Sequence, residues 1–171
     1  RNFPGLGSAD RSPEEEVSTV RKSLEQLKQI ELAPFFTVTS AEDPASQVDG
    51  LMIAHIRFQG FQGNIRATTR PVSFDATALE QLLAVEPIAN WRAAGGLTVS
   101  NSLGSRAVRN FFDPTGQTFD AFNIARTAFL AGNDLLYVHD FKAPLDQSAY
   151  ETITRTLQLF ASKYEEDSVF A

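Results

Sequence analysis

The stretch Gly50-Leu-Met-Ile-Ala-His-Ile56 is an apolar run of strand length, and it decides how the rest of the chain is interpreted. Such near-continuous hydrophobicity is typical of a strand buried on both faces, as the strands of parallel sheets are. Shorter runs follow at Leu97-Thr-Val-Ser100 and Asp134-Leu-Leu-Tyr-Val138, and Arg1-Asn-Phe-Pro-Gly5 has the pattern of a strand end that runs into a loop. Together they predict the strands of one buried parallel sheet.

Segments with helical spacing separate these strands. Apolar residues from Val17 to Ile30 recur every three or four positions, which predicts a helix that begins at Glu14 and is kinked or restarted by Pro34. Strands that alternate with helices indicate βα units, so the predicted fold class is α/β with a parallel sheet. Further helices are predicted over 76–85, 106–112, 119–131 and 147–164.

Composition excludes several classes of function. The chain has 171 residues, 43% of them hydrophobic, which is typical of one domain with a sizeable core. The net charge is −6 and no stretch concentrates Lys and Arg, so a nucleic-acid-binding surface is not expected. No apolar run reaches the length of a membrane span. We therefore expect a soluble, bacterial-type protein, with a secreted or cell-surface location left open.

Metal and cofactor chemistry is not indicated by the sequence either. The chain has no cysteine, which removes disulfides, thiolate catalysis and thiolate metal sites. Its two histidines and scattered acids do not have metal-ligand spacing, and no glycine-rich phosphate loop follows a strand. We expect no metal and no cofactor.

Five segments form an ordered set that covers the chain from residue 1 to about 165. They are Arg1-Asn-Phe-Pro-Gly5, Ser23-Leu-Glu-Gln-Leu-Lys-Gln-Ile-Glu-Leu-Ala-Pro-Phe35, Leu51-Met-Ile-Ala-His55, Gly96-Leu-Thr-Val-Ser-Asn-Ser-Leu103 and Ala128-Phe-Leu-Ala-Gly-Asn-Asp-Leu-Leu136. The set resembles the (β/α)8-barrel (TIM barrel) domain of glycoside hydrolase family three, in particular its β-N-acetylhexosaminidase-like members. The resemblance implies that residues 1–171 are a single domain, equivalent to strands five to eight, the C-terminal half of that barrel.

The half barrel that the resemblance implies would leave part of its sheet uncovered. A complete barrel of this type needs about 250 residues. Four parallel strands alone would expose two edges and an apolar inner face. We therefore expect the N-terminal half to lie upstream in the gene or to be a separate chain, or a second copy of this chain to take its place.

The resemblance also implies that the catalytic nucleophile is missing. Asn101 stands where the family carries the nucleophilic Asp, and the loop Leu6 to Glu16 lacks the family's Asp-x-His acid/base pair. Retaining glycosidases need two carboxyl groups about 5–5.5 Å apart, and an amide cannot form the usual glycosyl ester. We expect hydrolysis of O-glycosyl bonds to be lost or weak, with sugar binding retained.

Five residues are candidates for contact with a sugar. Arg1 and Asn2 replace the Lys-His pair of the family, and both can still donate hydrogen bonds to hydroxyl groups. His55, Ser100 and His139 lie at strand ends, on the face where barrels carry their chemistry. We predict that these residues line one site.

Two alternatives remain open at this stage. In the first, the chain is an active glycosidase with relocated carboxylates, supplied by Asp140 or by Asp10 with the group Glu14–Glu16. That acidic group also fits the first turn of a helix, where it would meet the positive end of the dipole. In the second alternative the barrel is an interaction scaffold that binds no sugar, and Asn101 merely caps a loop.

Overall fold

The computed structural model describes residues 2–168 and residue 170. Over this part of the chain the strands are β1 (Thr19–Val20), β2 (Gly50–Ile53), β3 (Arg57–Phe58) and β4 (Leu97–Ser100). The helices are α1 (Leu24–Gln29), α2 (Ala33–Thr39), α3 (Gln59–Gln62), α4 (Ala76–Leu83), α5 (Ile88–Ala93), α6 (Arg106–Phe112), α7 (Ala121–Leu130) and α8 (Ala149–Glu166). Two 3-10 turns lie at Pro44–Ser46 and Val72–Phe74.

The central sheet is parallel, as the apolar runs predict. Strand β2 pairs with β4 along its full length, with Met52 opposite Val99. Single parallel bridges extend this pair on both sides, from Phe3 to Ile53 and from Val99 to Leu135. Four segments therefore lie side by side in chain order, and helices fill the connections between them. Strands β1 and β3 form a second, smaller parallel pair.

The last predicted strand, 134–138, is wrong as a regular strand. Only Leu135 forms a bridge, although the Ser100 amide donates to the Leu135 carbonyl at 2.9 Å. Two residues further, the Tyr137 amide donates to the Ser100 hydroxyl at 3.0 Å, so a side chain replaces the backbone acceptor of a regular ladder. The segment lies beside β4, but this substitution ends the regular pairing.

The helix predicted to begin at Glu14 is also wrong in its first half. The capping box of Ser23 and Gln26 starts α1 at Leu24, because each side chain accepts a hydrogen bond from the other residue's amide. Upstream, Val20 belongs to β1 and is fully buried opposite Phe58. Glu14–Glu16 therefore precede a strand and do not occupy the first turn of a helix.

The restart at Pro34 is confirmed, since a new helix begins at Ala33 with Pro34 in its first turn. The N-termini of four later helices are capped by side chains that accept a hydrogen bond from an amide three residues on. These caps are Asp75, Ser105, Asp120 and Ser148. None of the helices in the described residues is both long and apolar enough to cross a membrane.

The two faces of the central sheet differ sharply. On the helix-covered face Leu51 and Ile53 are buried in the main core, which also contains Leu27, Leu32, Leu79, Leu82, Ile88 and Trp91. On the opposite face Leu97, Leu135 and Tyr137 are 42%, 52% and 44% exposed. Met52 and Val99 lie between them, half-buried. We call Met52, Leu97, Val99, Leu135 and Tyr137 the open sheet face.

Candidate functional site

A cavity of about 260 Å³ lies where the chain leaves the central sheet. Residues from each of the four parallel segments line it: Asn2, His55, Asn101, His139 and Asp140. The rest of the wall comes from the loop before β1 and the start of α6, with Pro13, Glu14, Ser105 and Arg106 among its members. The carboxyl ends of parallel strands meet at one edge of a sheet, which brings these distant residues together. We call this the strand-end cavity.

Asn2 and Asn101 form a hydrogen-bonded pair in the strand-end cavity. The Asn101 Nδ2 donates to Asn2 Oδ1 at 3.1 Å, and Asn101 Oδ1 accepts from the Ser102 amide at 2.8 Å. A carboxylate at position 101 could not donate this bond, and Asn2 would have to turn its own Nδ2 toward it. Asn2 Nδ2 has no partner among the described residues and is available to a ligand.

His55 forms the floor of the cavity and is only 4% exposed. Its Nε2 donates to the Ser102 carbonyl at 3.0 Å, because a carbonyl can only accept. Nδ1 is therefore unprotonated and accepts a hydrogen bond of 2.7 Å from the Ser73 hydroxyl. Burial lowers the pKa of His55 to about 4, against a smaller opposing effect of the Ser102 and Asn101 backbone. With both nitrogens engaged, the ring positions the strand ends around it.

His139 and Asp140 form an exposed tip on the other side of the cavity. Their side chains are 58% and 73% exposed, with His139 Nδ1 3.4 Å from Asp140 Oδ2. Gly104 permits this arrangement, because a Cβ at that position would overlap the Asp140 carbonyl group. Asp140 has a φ of 51° and Asn2 a φ of 61°, and among the described residues only these two non-glycines have positive φ. Backbone strain of this kind concentrates at functional sites.

One predicted site residue, Ser100, is not among the described residues that line this cavity. Ser100 is fully buried, and its hydroxyl accepts from the Tyr137 amide at 3.0 Å, so it joins two sheet segments. Arg1 lies outside the described residues. Sequence reasoning missed Ser105 and Arg106, although a Ser followed by a helical run is the ordinary signal of an N-cap at a strand-to-helix turn.

The structure brings two of the candidate carboxylates together and places the others elsewhere. Glu14 lines the strand-end cavity together with Asp140, and it has no partner among the described residues. Glu15 pairs with Arg106 at 2.5 Å, and its carbonyl accepts from the Asn110 side chain. Asp10 accepts from the Thr19 amide at 2.7 Å and lines a different cavity. The acidic run therefore contributes one free carboxylate to this site.

Comparisons with known proteins identify the fold. No family model matches the sequence, and no curated protein matches it. Among solved structures, the chain is similar to a fungal multi-domain family-three β-N-acetylglucosaminidase that has a GCN5-related glucosamine N-acetyltransferase region. The TM-score is 0.70 at 20% identity, covering 99% of this chain and 17% of that one.

Two bacterial structures give the same result. Zn-bound CbsA from Thermotoga neapolitana matches with a TM-score of 0.64 and 19% identity, and the β-N-acetylglucosaminidase from Thermotoga maritima with 0.59 and 24%. Each match covers 92% of this chain and 29% of the other. The chain thus shares the fold of part of these family-three enzymes and spans less than a third of their length.

The buried, neutral His55 makes stability depend on pH. Its pKa is about 4 in the folded chain and about 6.5 when unfolded, so the unfolded state binds more protons between these values. The stability that the neutral His55 contributes is fully present above pH 6.5 and is lost as the pH falls toward 4. Between pH 7 and pH 5 the free energy of unfolding should fall by about 2 kcal/mol from this group.

The measurement is the free energy of unfolding in urea at pH 7 and pH 5. It is made on the unaltered protein, on His55→Gln and on His139→Gln. His55→Gln should lose about 2 kcal/mol of the pH difference, whereas His139→Gln should retain it because that ring is exposed. An unchanged pH difference in His55→Gln would contradict the assignment.

Proposed function

We propose that the strand-end cavity binds a sugar unit of an O-glycoside without efficient hydrolysis. The observation that carries the proposal is the Asn2–Asn101 pair, which stands where the resembled enzymes carry His and Asp. The fold shared with family-three enzymes supports a carbohydrate ligand. The amide at position 101 supports impaired hydrolysis, since it cannot attack the anomeric carbon to give an ester.

The polar groups of the cavity suit a small hydroxylated ligand. Within the part of the chain that the structure describes, the Asn2 Nδ2 donor and the Glu14 carboxylate have no partner. The exposed His139 ring can donate or accept, and the exposed Asp140 carboxylate adds acceptors to the same cavity. Several hydrogen-bonding groups around one small cavity match the alternating hydroxyls of a sugar ring.

A second candidate, an active glycosidase with relocated carboxylates, is favoured by one observation. Glu14 and Asp140 line the same cavity from opposite segments of the chain. A pair of carboxyl groups across a glycosidic bond is the general requirement for this chemistry. In that case Glu14, on the loop that carries the acid/base in the resembled family, would act as acid and Asp140 as nucleophile or base.

We also propose that the open sheet face is covered by the strands that complete a (β/α)8 barrel, supplied by the N-terminal half of a longer protein. The outer segments, at Phe3 and Leu135, each pair with one neighbour in the central sheet. Parallel sheets normally have both faces covered. Half-exposed apolar side chains on one face therefore indicate a surface that another element covers. The solved structures of this fold extend well beyond the matched part.

Sugar binding is tested by titrating the protein with monosaccharides and measuring the heat of binding and the thermal shift. We expect saturable binding of at least one sugar, and binding about tenfold weaker in Asn2→Gly, which loses the amide. Glycine suits this site because it adopts the positive φ of Asn2 without strain. The matched control is Asn64→Gly, an exposed asparagine outside the cavity. No heat and no thermal shift with any sugar would favour the interaction scaffold.

Sedimentation velocity of the isolated chain tests the open sheet face. We expect the chain to self-associate, because no other strands cover that face, and Leu135→Glu with Tyr137→Glu to leave it monomeric. The matched control is Leu145→Glu with Tyr150→Glu, at side chains 94% and 79% exposed elsewhere. The proposal of a half barrel fails if the unaltered chain is a stable monomer that binds no hydrophobic dye.

A further inference from the structure

A second cavity, of about 670 Å³, lies beside the strand-end cavity and shares none of its lining residues. Its walls come from the loop before β1, the loop after α3 and the end of α6. The Glu15–Arg106 ion pair and the bond from Asn110 to the Glu15 carbonyl hold the loop before β1 against α6, between the two cavities. A cavity of this size can hold a ligand larger than a single ion.

Positive charge is concentrated around this second cavity. Five of the eleven arginines in the chain line it, although the whole protein carries a net charge of −6. They are Arg11, Arg21, Arg57, Arg66 and Arg70. Asp10 and Glu16 are the lining carboxylates, so the formal balance of this wall is +3 from five positive and two negative groups. We call it the arginine cavity.

The two carboxylates are already occupied. Glu16 pairs with Arg11 at 2.9 Å, and Asp10 accepts from the Thr19 amide and lies 3.9 Å from Arg21. The side chains of Arg66 and Arg70 are exposed and have no hydrogen-bond or ion-pair partner among the described residues. Their guanidinium groups are therefore available to a ligand.

Arg57 gives the cavity a fixed cation. Its Nε donates to the Thr69 carbonyl at 2.7 Å and its Nη2 to the Ala67 carbonyl at 3.0 Å, which ties down the loop that carries Arg66 and Arg70. The guanidinium carbon lies 5.5 Å from the centre of the Phe111 ring. Among the described residues its Nη1 has no hydrogen-bond partner. Burial is the main cause that lowers the pKa of Arg57. The negative charge of Asp10 raises this pKa, and the positive charge of Arg11 lowers it further.

A cation that is partly desolvated and close to other cations is stabilised when an anion binds. Guanidinium groups match phosphate and carboxylate oxygens in a two-pronged geometry that ammonium groups lack. We propose that the arginine cavity binds a small ligand with two or more negative charges, carried on phosphate or carboxylate groups. Phe111 and Pro114 offer an apolar surface for the rest of that ligand.

Calorimetric titration with inorganic phosphate and, separately, with citrate tests the proposal and distinguishes the two oxyanion chemistries. Ionic strength is matched throughout with NaCl, since salt screens exposed charges. We expect saturable binding of at least one anion, about tenfold or more weaker in Arg66→Gln with Arg70→Gln. Both arginine side chains are exposed and have no partner in the described part of the chain, so the fold should be unchanged, which far-UV circular dichroism checks.

The matched control is Lys142→Gln with Lys163→Gln, which removes the same charge outside the arginine cavity. Binding that is lost in the arginine variant and kept in the lysine variant supports the site. The proposal is overturned if neither anion binds beyond the NaCl reference, or if the two double variants behave alike. Neither variant alters a residue of the strand-end cavity, so this test is independent of sugar binding.

Discussion

The parallel pairing of β2 with β4, extended by the bridges at Phe3 and Leu135, is the constraint on which the rest of this structure depends. Because all four segments run in one direction, the residues that follow them emerge at the same edge. His55, Asn101 and His139 are far apart in sequence and still meet there. The same direction requires a crossover between neighbours, and the helices in these crossovers cover one face of the sheet.

The network at the strand ends makes the site rigid. The buried His55 bonds the Ser102 carbonyl and the Ser73 hydroxyl, while the Ser102 hydroxyl donates to the His139 carbonyl at 2.9 Å. Asn101 joins the same group by accepting from the Ser102 amide, and it links this group to Asn2. At the opposite end of β4, Asp134 accepts from the Thr98 amide and hydroxyl and pairs with Arg92. Both ends of the central strands are therefore fixed by polar bonds, and the exposed groups of the cavity are presented on a stable frame.

Much of this frame could be predicted from the sequence. The apolar run at 50–56 predicts a buried parallel strand because it lacks polar alternation, and it forms as β2 over Gly50–Ile53. The run at 97–100 forms as β4, although its polar Thr98 and Ser100 are buried and its apolar Leu97 and Val99 lie on the open sheet face. The helix expected from Glu14 does not form over its first half, although the three-residue spacing of Val17 and Val20 favours a helix over a short strand. Only the pairing of Val20 with Phe58, which is distant in sequence, decides between them.

The two cavities also depend on contacts between residues that are distant in sequence. The cavity residues could be predicted because strand ends converge, but the burial of Ser100 depends on a bond to Tyr137 in another segment. The arginine cavity was missed, since its five arginines are spread from residue 11 to residue 70 and no short stretch contains them all. A linear search for basic runs therefore concludes that no cationic surface exists. Folding of two loops against α6 creates one.

The central claim is that the strand-end cavity binds sugars, while the amide at position 101 and the missing Asp-x-His pair together remove hydrolysis. The most direct measurement is the rate of nitrophenyl glycoside cleavage by the unaltered protein and by Asn101→Asp, across a panel of sugars. The account predicts no cleavage above the uncatalysed rate in either, because the chain also lacks the Asp-x-His pair. Turnover at ordinary enzymatic rates in either protein would contradict it. Abolition of that turnover by Asp140→Asn would then establish the relocated carboxylates as the catalytic groups.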